Sequence, residues 1–139
     1  MAKWFKDIEL YRSETAERLG IDNTPTEDIW LNLRVLMAFL DQLREAWGSG
    51  IIITSGYRCE ALNKAVGGSK NSSHKYGLAV DMKPVNGKNK EFFHFVESFL
   101  KDKNVDFDQL INEYNYSWVH LGLFNKDGEQ RKQIFSING

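Results

Sequence analysis

His74, Asp81 and His120 are the residues whose types and placement point most directly to chemistry. Two imidazoles and one carboxylate, with a fourth position open to water or substrate, make the ligand set of a catalytic zinc ion. The chain has 3 histidines in all. Two of them fall in short segments crowded with small and aromatic residues, Ser72-Ser73-His74-Lys75-Tyr76-Gly77-Leu78-Ala79-Val80-Asp81 and Trp118-Val119-His120. A hydrolytic site must grip its metal rigidly yet leave room for water and substrate, and Gly77 and Ala79 supply that room.

The elements that must position these groups are legible in the alternation around them. After Gly77, which can adopt a backbone conformation closed to other residues, Leu78, Val80 and Met82 alternate with Ala79, Asp81 and Lys83. Asp81 therefore projects from the face opposite the oily side chains, where its carboxylate can act as a ligand and is not buried without a partner. Residues 108–114 and 117–124 read as a hairpin joined by Asn115-Tyr116, with Trp118, His120 and Gly122 on one face. With Asn115 and Tyr116 as a two-residue turn, Glu113 lies opposite Trp118 and on the side of His120, which makes it the general-base candidate. A turn one residue longer or shorter would aim it away.

Helices bracket this sheet. A short helix over about Ser13 to Leu19 ends at Gly20, Asn23-Thr24-Pro25 is a turn, and Thr26 with Glu27 and Asp28 caps a long helix. Ile29, Leu33, Leu36, Leu40, Leu43 and Trp47 recur along it at spacings of four and three, a core-facing stripe that Gly48 and Gly50 terminate. Ile51-Ile52-Ile53-Thr54 reads as a buried strand, and residues 60–66 as a short helix stopped by Gly67-Gly68. Residues 88–103 form a further helix with Phe92, Val96, Phe99 and Leu100 inward. His94 stands about 200 degrees around that helix from Phe92 and reads as a surface or half-buried structural histidine. With no repeat and no linker, the expectation is one unit over residues 1–139, helical over about 1–50 and sheet-bearing over about 51–139.

Composition narrows the function classes. At 139 residues the chain can bury a core without staples, and a net charge of −1 leaves no electrostatic footprint for nucleic acid. Lys83, Lys88 and Lys90 read as a solvated loop. A single cysteine, Cys59, rules out an intramolecular disulfide framework and has no free histidine partner to make it a nucleophile. No stretch is long and oily enough to span a bilayer, and the opening residues lack the apolar core of a signal peptide, so synthesis in the cytoplasm is expected.

Ile53-Thr54-Ser55-Gly56-Tyr57-Arg58, Leu62-Asn63-Lys64-Ala65-Val66-Gly67-Gly68, the SxHxxGxAxD pattern of residues 72–81 and Trp118-Val119-His120 occur in that order. In this the chain resembles the zinc D-alanyl-D-alanine carboxypeptidases and peptidoglycan endopeptidases, whose metal-site architecture is shared with lysostaphin-type enzymes and the hedgehog signalling domain. The resemblance runs from about Ser13 to the C-terminus. It implies an α+β fold in which a small antiparallel sheet carries one zinc ion and packs against N-terminal and crossover helices. It implies His74, Asp81 and His120 as ligands and Arg58 as the group that holds a substrate carbonyl or carboxylate, a task suited to a planar, permanently charged fork. The plainer reading of Arg58 is a structural pair with Glu60 or an aspartate. Ser72 braces the loop or touches substrate, and Trp118 walls the site or stacks on substrate. Several relatives carry the catalytic acid three residues before the last histidine; here that position is Ser117, so the role passes to Glu113. Cys59, where many relatives have serine, reads as a tolerated small residue.

The activity so implied is metal-assisted hydrolysis of an amide in peptidoglycan stem peptides. Zinc lowers the pKa of its water towards roughly 7, and Glu113 serves as base and then acid. Because such a substrate lies outside the membrane, the missing signal suggests a phage or prophage lytic enzyme, delivered by a holin or carried in a virion, and monomeric. Ser117 in place of the usual acid leaves a second reading, a non-catalytic zinc-containing binding or signalling module of hedgehog-like type.

Overall fold

The long helical stripe and the alternating strands meet face to face in a computed structural model that describes residues 3–137. Helix α1 spans Glu14–Leu19, with Ser13 Oγ accepting from the Ala16 amide at its start and Gly20 in a left-handed conformation at its end. Helix α2 spans Glu27–Trp47 and is closed by left-handed Gly48. Its inward face buries Leu33, Leu36, Leu40 and Leu43. Strand β1 (Ile51–Ser55), helix α3 (Glu60–Ala65) and strand β2 (Ala79–Pro84) follow. Helix α4 (Asn89–Asp102) crosses over to β3 (Gln109–Glu113), β4 (Trp118–Gly122) and β5 (Gln133–Ile137).

The five strands form one sheet in the order β1-β2-β4-β3-β5. Val80 and Met82 of β2, Leu110 of β3, and Val119 and Leu121 of β4 point into the layer filled by α2 and by Phe92, Val96 and Leu100 of α4. Edge-to-face contacts of Phe39 with Phe99 and of Trp47 with Phe92 tie the two helices together over it. Each of those strand residues has a neighbour pointing to the opposite face, and that face carries the candidate site.

The architecture is α+β, as the sequence implies, with two departures. The sheet is mixed rather than antiparallel, because β5 pairs in parallel with β3, Phe135 lying beside Ile111 and Ile137 beside Glu113. All five residues of β5 are exposed, so no burial pattern announced it. Strand β1 is buried on one side only: Ile51 and Ile53 enter the core while Ile52 is 38 % exposed. Ahead of α1, Asp7–Leu10 forms a 3-10 turn that buries Leu10 completely. No helix among the described residues is long and apolar enough to cross a membrane.

Candidate metal centre

Three neighbouring pieces of backbone bring the ligand candidates together. Asp81 of β2 is paired directly with His120 of β4, so the two side chains rise side by side from the same face. The third, His74, sits on a 3-10 turn over Ser73–Tyr76, just before β2. Ser72 Oγ caps that turn by accepting from the His74 amide, and Gly77 closes it at φ 70°, where a Cβ would press on Ile29 and Leu33. On the other side β1 bulges at Thr54, since Ile53 faces Met82 while Ser55 already faces Asp81. The bulge turns the chain towards the site.

The bulge delivers the carbonyl of Gly56, which stands 2.8 Å from His74 Nδ1. A carbonyl can only accept, so His74 Nδ1 carries a proton and the ring is turned with Nε2 towards Asp81 Oδ1, 3.3 Å away. His120 Nδ1 lies 2.9 Å from the same oxygen. The potential donor atoms of all three residues lie within 4.8 Å of one another. Zinc bonds of about 2.0–2.1 Å in a tetrahedron place neighbouring donors about 3.3 Å apart, so the spacing already present is that of a ligand cradle. Burial works against the charge of Asp81, but hydrogen bonds with His120 and then His74 outweigh it and hold the carboxyl well below the usual carboxylate range. An ionised carboxylate and an imidazole oriented through its Nδ1 suit a divalent cation.

Glu113 lies where the strand parity places it. It is paired with Trp118 across the hairpin, its Oε2 accepts from Trp118 Nε1 at 3.0 Å, and the same oxygen is 4.0 Å from His120 Nδ1. The turn differs from the expected two-residue one: Tyr114, Asn115 and Tyr116 are all left-handed, between strands ending at Glu113 and beginning at Trp118. Register is nevertheless the same, because this loop also leaves 113 opposite 118. Trp118 is thus a partner of Glu113 as well as a wall. Ser117 donates its hydroxyl to the Tyr114 carbonyl and serves the turn.

Arg58 lines the same cleft, about 800 Å³ in volume, and its Nη2 donates to Ser72 Oγ at 3.2 Å. It does not pair with Glu60, which binds Lys75 at 2.6 Å. Its Nε is buried without a partner. Burial lowers its pKa, and the fields of Asp81 and then Glu113 act in the opposite sense. Ser72 therefore braces His74 and Arg58 together. His94 is remote from this cluster, half-exposed beside Glu97 and Tyr116.

Several contributors gave no signal in the sequence. Gly56 acts through its carbonyl, and a side chain there would put a Cβ 2.1 Å from the Leu10 oxygen, so only glycine allows this approach. Asn23, which reads as a turn residue, is buried and donates to the carbonyls of Tyr11 and Tyr57 while accepting from the Cys59 amide. It clamps both sides of Arg58. The far wall of the cleft is formed by residues 125–131, including Lys126, Glu129 and Arg131.

No curated protein matches the chain. A family model described as Peptidase M15 matches residues 3–122.

Proposed function

The chain belongs to the peptidase M15 family, zinc peptidases acting on peptidoglycan-type substrates, and from that premise we propose that it hydrolyses an amide bond in peptidoglycan stem peptides. The observation that carries this reading is Glu113, an indole-held carboxylate 4.0 Å from His120 Nδ1 and on the rim of the ligand cradle. His74, Asp81 and His120 would hold one zinc ion. When bound, zinc supplies Lewis acidity, polarising the scissile carbonyl and acidifying water to a pKa of about 7.

The chain's own residues do the rest. Glu113 takes a proton from water as its oxygen bonds to the carbonyl carbon, then gives that proton to the amine nitrogen as the C–N bond breaks. Arg58, fixed against Ser72, faces the oxygen on which negative charge develops. The Gly56 carbonyl keeps the His74 imidazole in place. A carboxylate so placed favours hydrolysis over a non-catalytic zinc module. The same reading extends to a phage or prophage lytic enzyme, monomeric and brought to the wall by a holin or a virion.

The test measures amino groups released from purified peptidoglycan by the zinc-loaded protein, by Glu113→Gln and by chelated protein. Glu113→Gln is expected to keep its zinc and to lose about 10²- to 10⁴-fold in kcat. Wild-type protein that holds zinc and releases nothing would defeat the proposal.

A further inference from the structure

Behind Arg58 lies a second cavity of about 220 Å³, bordered like the main cleft by Arg58 and Val66. Arg12 stands in its wall with the hydroxyl-bearing Ser13, Thr15, Thr54 and Ser55. No carboxylate lines it. Among the described residues neither guanidinium is in an ion pair, and Arg58 Nε is buried without a partner. Arg12, exposed and without an acidic partner among the described residues, stands with Arg58 beside a partly enclosed volume that has no carboxylate in its wall, an arrangement that favours an anion there. The Thr54 hydroxyl is committed to the Asp81 carbonyl, but those of Ser13 and Ser55 can donate to an anion. Ser13 uses a lone pair of its oxygen on the Ala16 amide and keeps its proton to donate, and Ser55 has no hydrogen bond from its side chain among the described residues.

Size limits the guest. With liquid water occupying about 30 Å³ per molecule, the cavity holds a carboxylate and a few waters but no sugar ring or second peptide chain in full. A guanidinium fork matches a carboxylate in two parallel hydrogen bonds.

We propose that this side cavity is a second subsite, in which Arg12 and the neighbouring hydroxyls bind a free carboxylate of the peptide whose amide is cut beside Arg58. The inference rests on the stem-peptide reading for its substrate, but the cavity's anion preference does not. Arg58 then separates two compartments: on one side it faces the reacting carbonyl, and on the other it helps to neutralise a carboxylate further along the same molecule. Arg12 is a specificity residue in this scheme, remote from the reacting atoms.

The test uses zinc-loaded protein carrying Glu113→Gln, so that peptide is bound and not consumed. Calorimetric titration compares a synthetic stem pentapeptide bearing free carboxylates with the same peptide fully amidated. Arg12→Gln is expected to weaken binding of the free acid about tenfold and to leave the amidated peptide unchanged, with Arg12→Lys retaining most of the affinity. Equal losses for both peptides, or none for either, would overturn the subsite. Acetate probes the cavity without the peptide: amide resonances of Thr15 and Ser55 should shift on its addition, and not in Arg12→Gln. Acetate shifts without any peptide binding would leave the subsite standing and sink the stem-peptide reading, whereas absent acetate shifts overturn the subsite itself.

Discussion

The two walls of the cleft are held by different means. The near wall, residues 56–59 and 72–77, is laced to backbone carbonyls: the Tyr57 amide to that of Leu10, the Arg58 amide to that of His74, and the His74 ring to that of Gly56. The far wall, residues 125–131, closes its turn with backbone bonds between Asn125 and Glu129 and between Gly128 and Asn125, but is anchored to the rest of the molecule by side chains. Asn125 organises its turn by accepting from the amides of Asp127 and Glu129, and Arg131 grips the buried Asp108 through two hydrogen bonds of 2.7 and 2.9 Å. The family match covers the near wall and stops before the far one. Parts that must stay fixed to a fraction of an ångström are tied largely to backbone groups, with the Asn23 and Ser72 side chains bracing them.

Breaking the near wall should have the larger effect. Gly56→Ala sets a methyl group against the Leu10 oxygen, so the loop must move and carry its carbonyl away from His74. The expected result is a destabilisation of about 3 kcal/mol, read by urea unfolding, and a zinc affinity lower by about tenfold or more, read by competition with a chelator. Unchanged zinc affinity would mean that the Gly56 carbonyl does not set the orientation of His74.

Breaking the far wall should cost less and depend on pH. Burial raises the pKa of Asp108, but hydrogen bonding and charge from Arg131 outweigh it and leave the carboxyl below its usual range. A depressed folded-state value stabilises the protein above the unfolded pKa of about 3.9, and that contribution fades as pH falls through the folded value. Arg131→Gln removes the partner of a buried carboxylate and, since Arg131 is itself partly solvated, should cost about 1–3 kcal/mol at pH 7. The gap from wild type should narrow once Asp108 is protonated. Urea midpoints at neutral and acidic pH check this; a gap that widens in acid would contradict the pairing.

Trp118→Phe sharpens the contrast at the smallest scale. It keeps the aromatic packing and deletes only the indole donor to Glu113, so kcat should fall about tenfold with zinc content and folding stability little changed. An unaltered kcat would reduce Trp118 to a wall.

How much of this was written in the sequence follows the same division. His120, Asp81 and Glu113 were placed by strand parity, which is fixed by the demand that Val80, Met82, Val119 and Leu121 enter the core. The α2 stripe was legible for the same reason. β5 was not, because an edge strand with every residue exposed has no core to impose alternation, and its parallel pairing with β3 depends on the turn at Asn125. Nor could Gly56 and Asn23 be read as parts of the site. Both act where the 3-10 turn over Asp7–Leu10 meets the end of β1, a contact between distant segments that local pattern does not encode.

The loop between β3 and β4 offers a last lesson in what rigidity costs. Three successive non-glycine residues there hold positive φ, a conformation that Asn115 tolerates but that costs each of the two tyrosines about 1 kcal/mol. Two of the three are tyrosines whose rings rest on neighbours, Tyr114 on Trp118 and Tyr116 on Phe93, and the Asn112 side chain accepts from the Tyr116 amide. The hairpin is therefore a sprung clip held shut by its own aromatic ornaments. A smoother, glycine-rich bend would relax the spring and let the acid at its base wander.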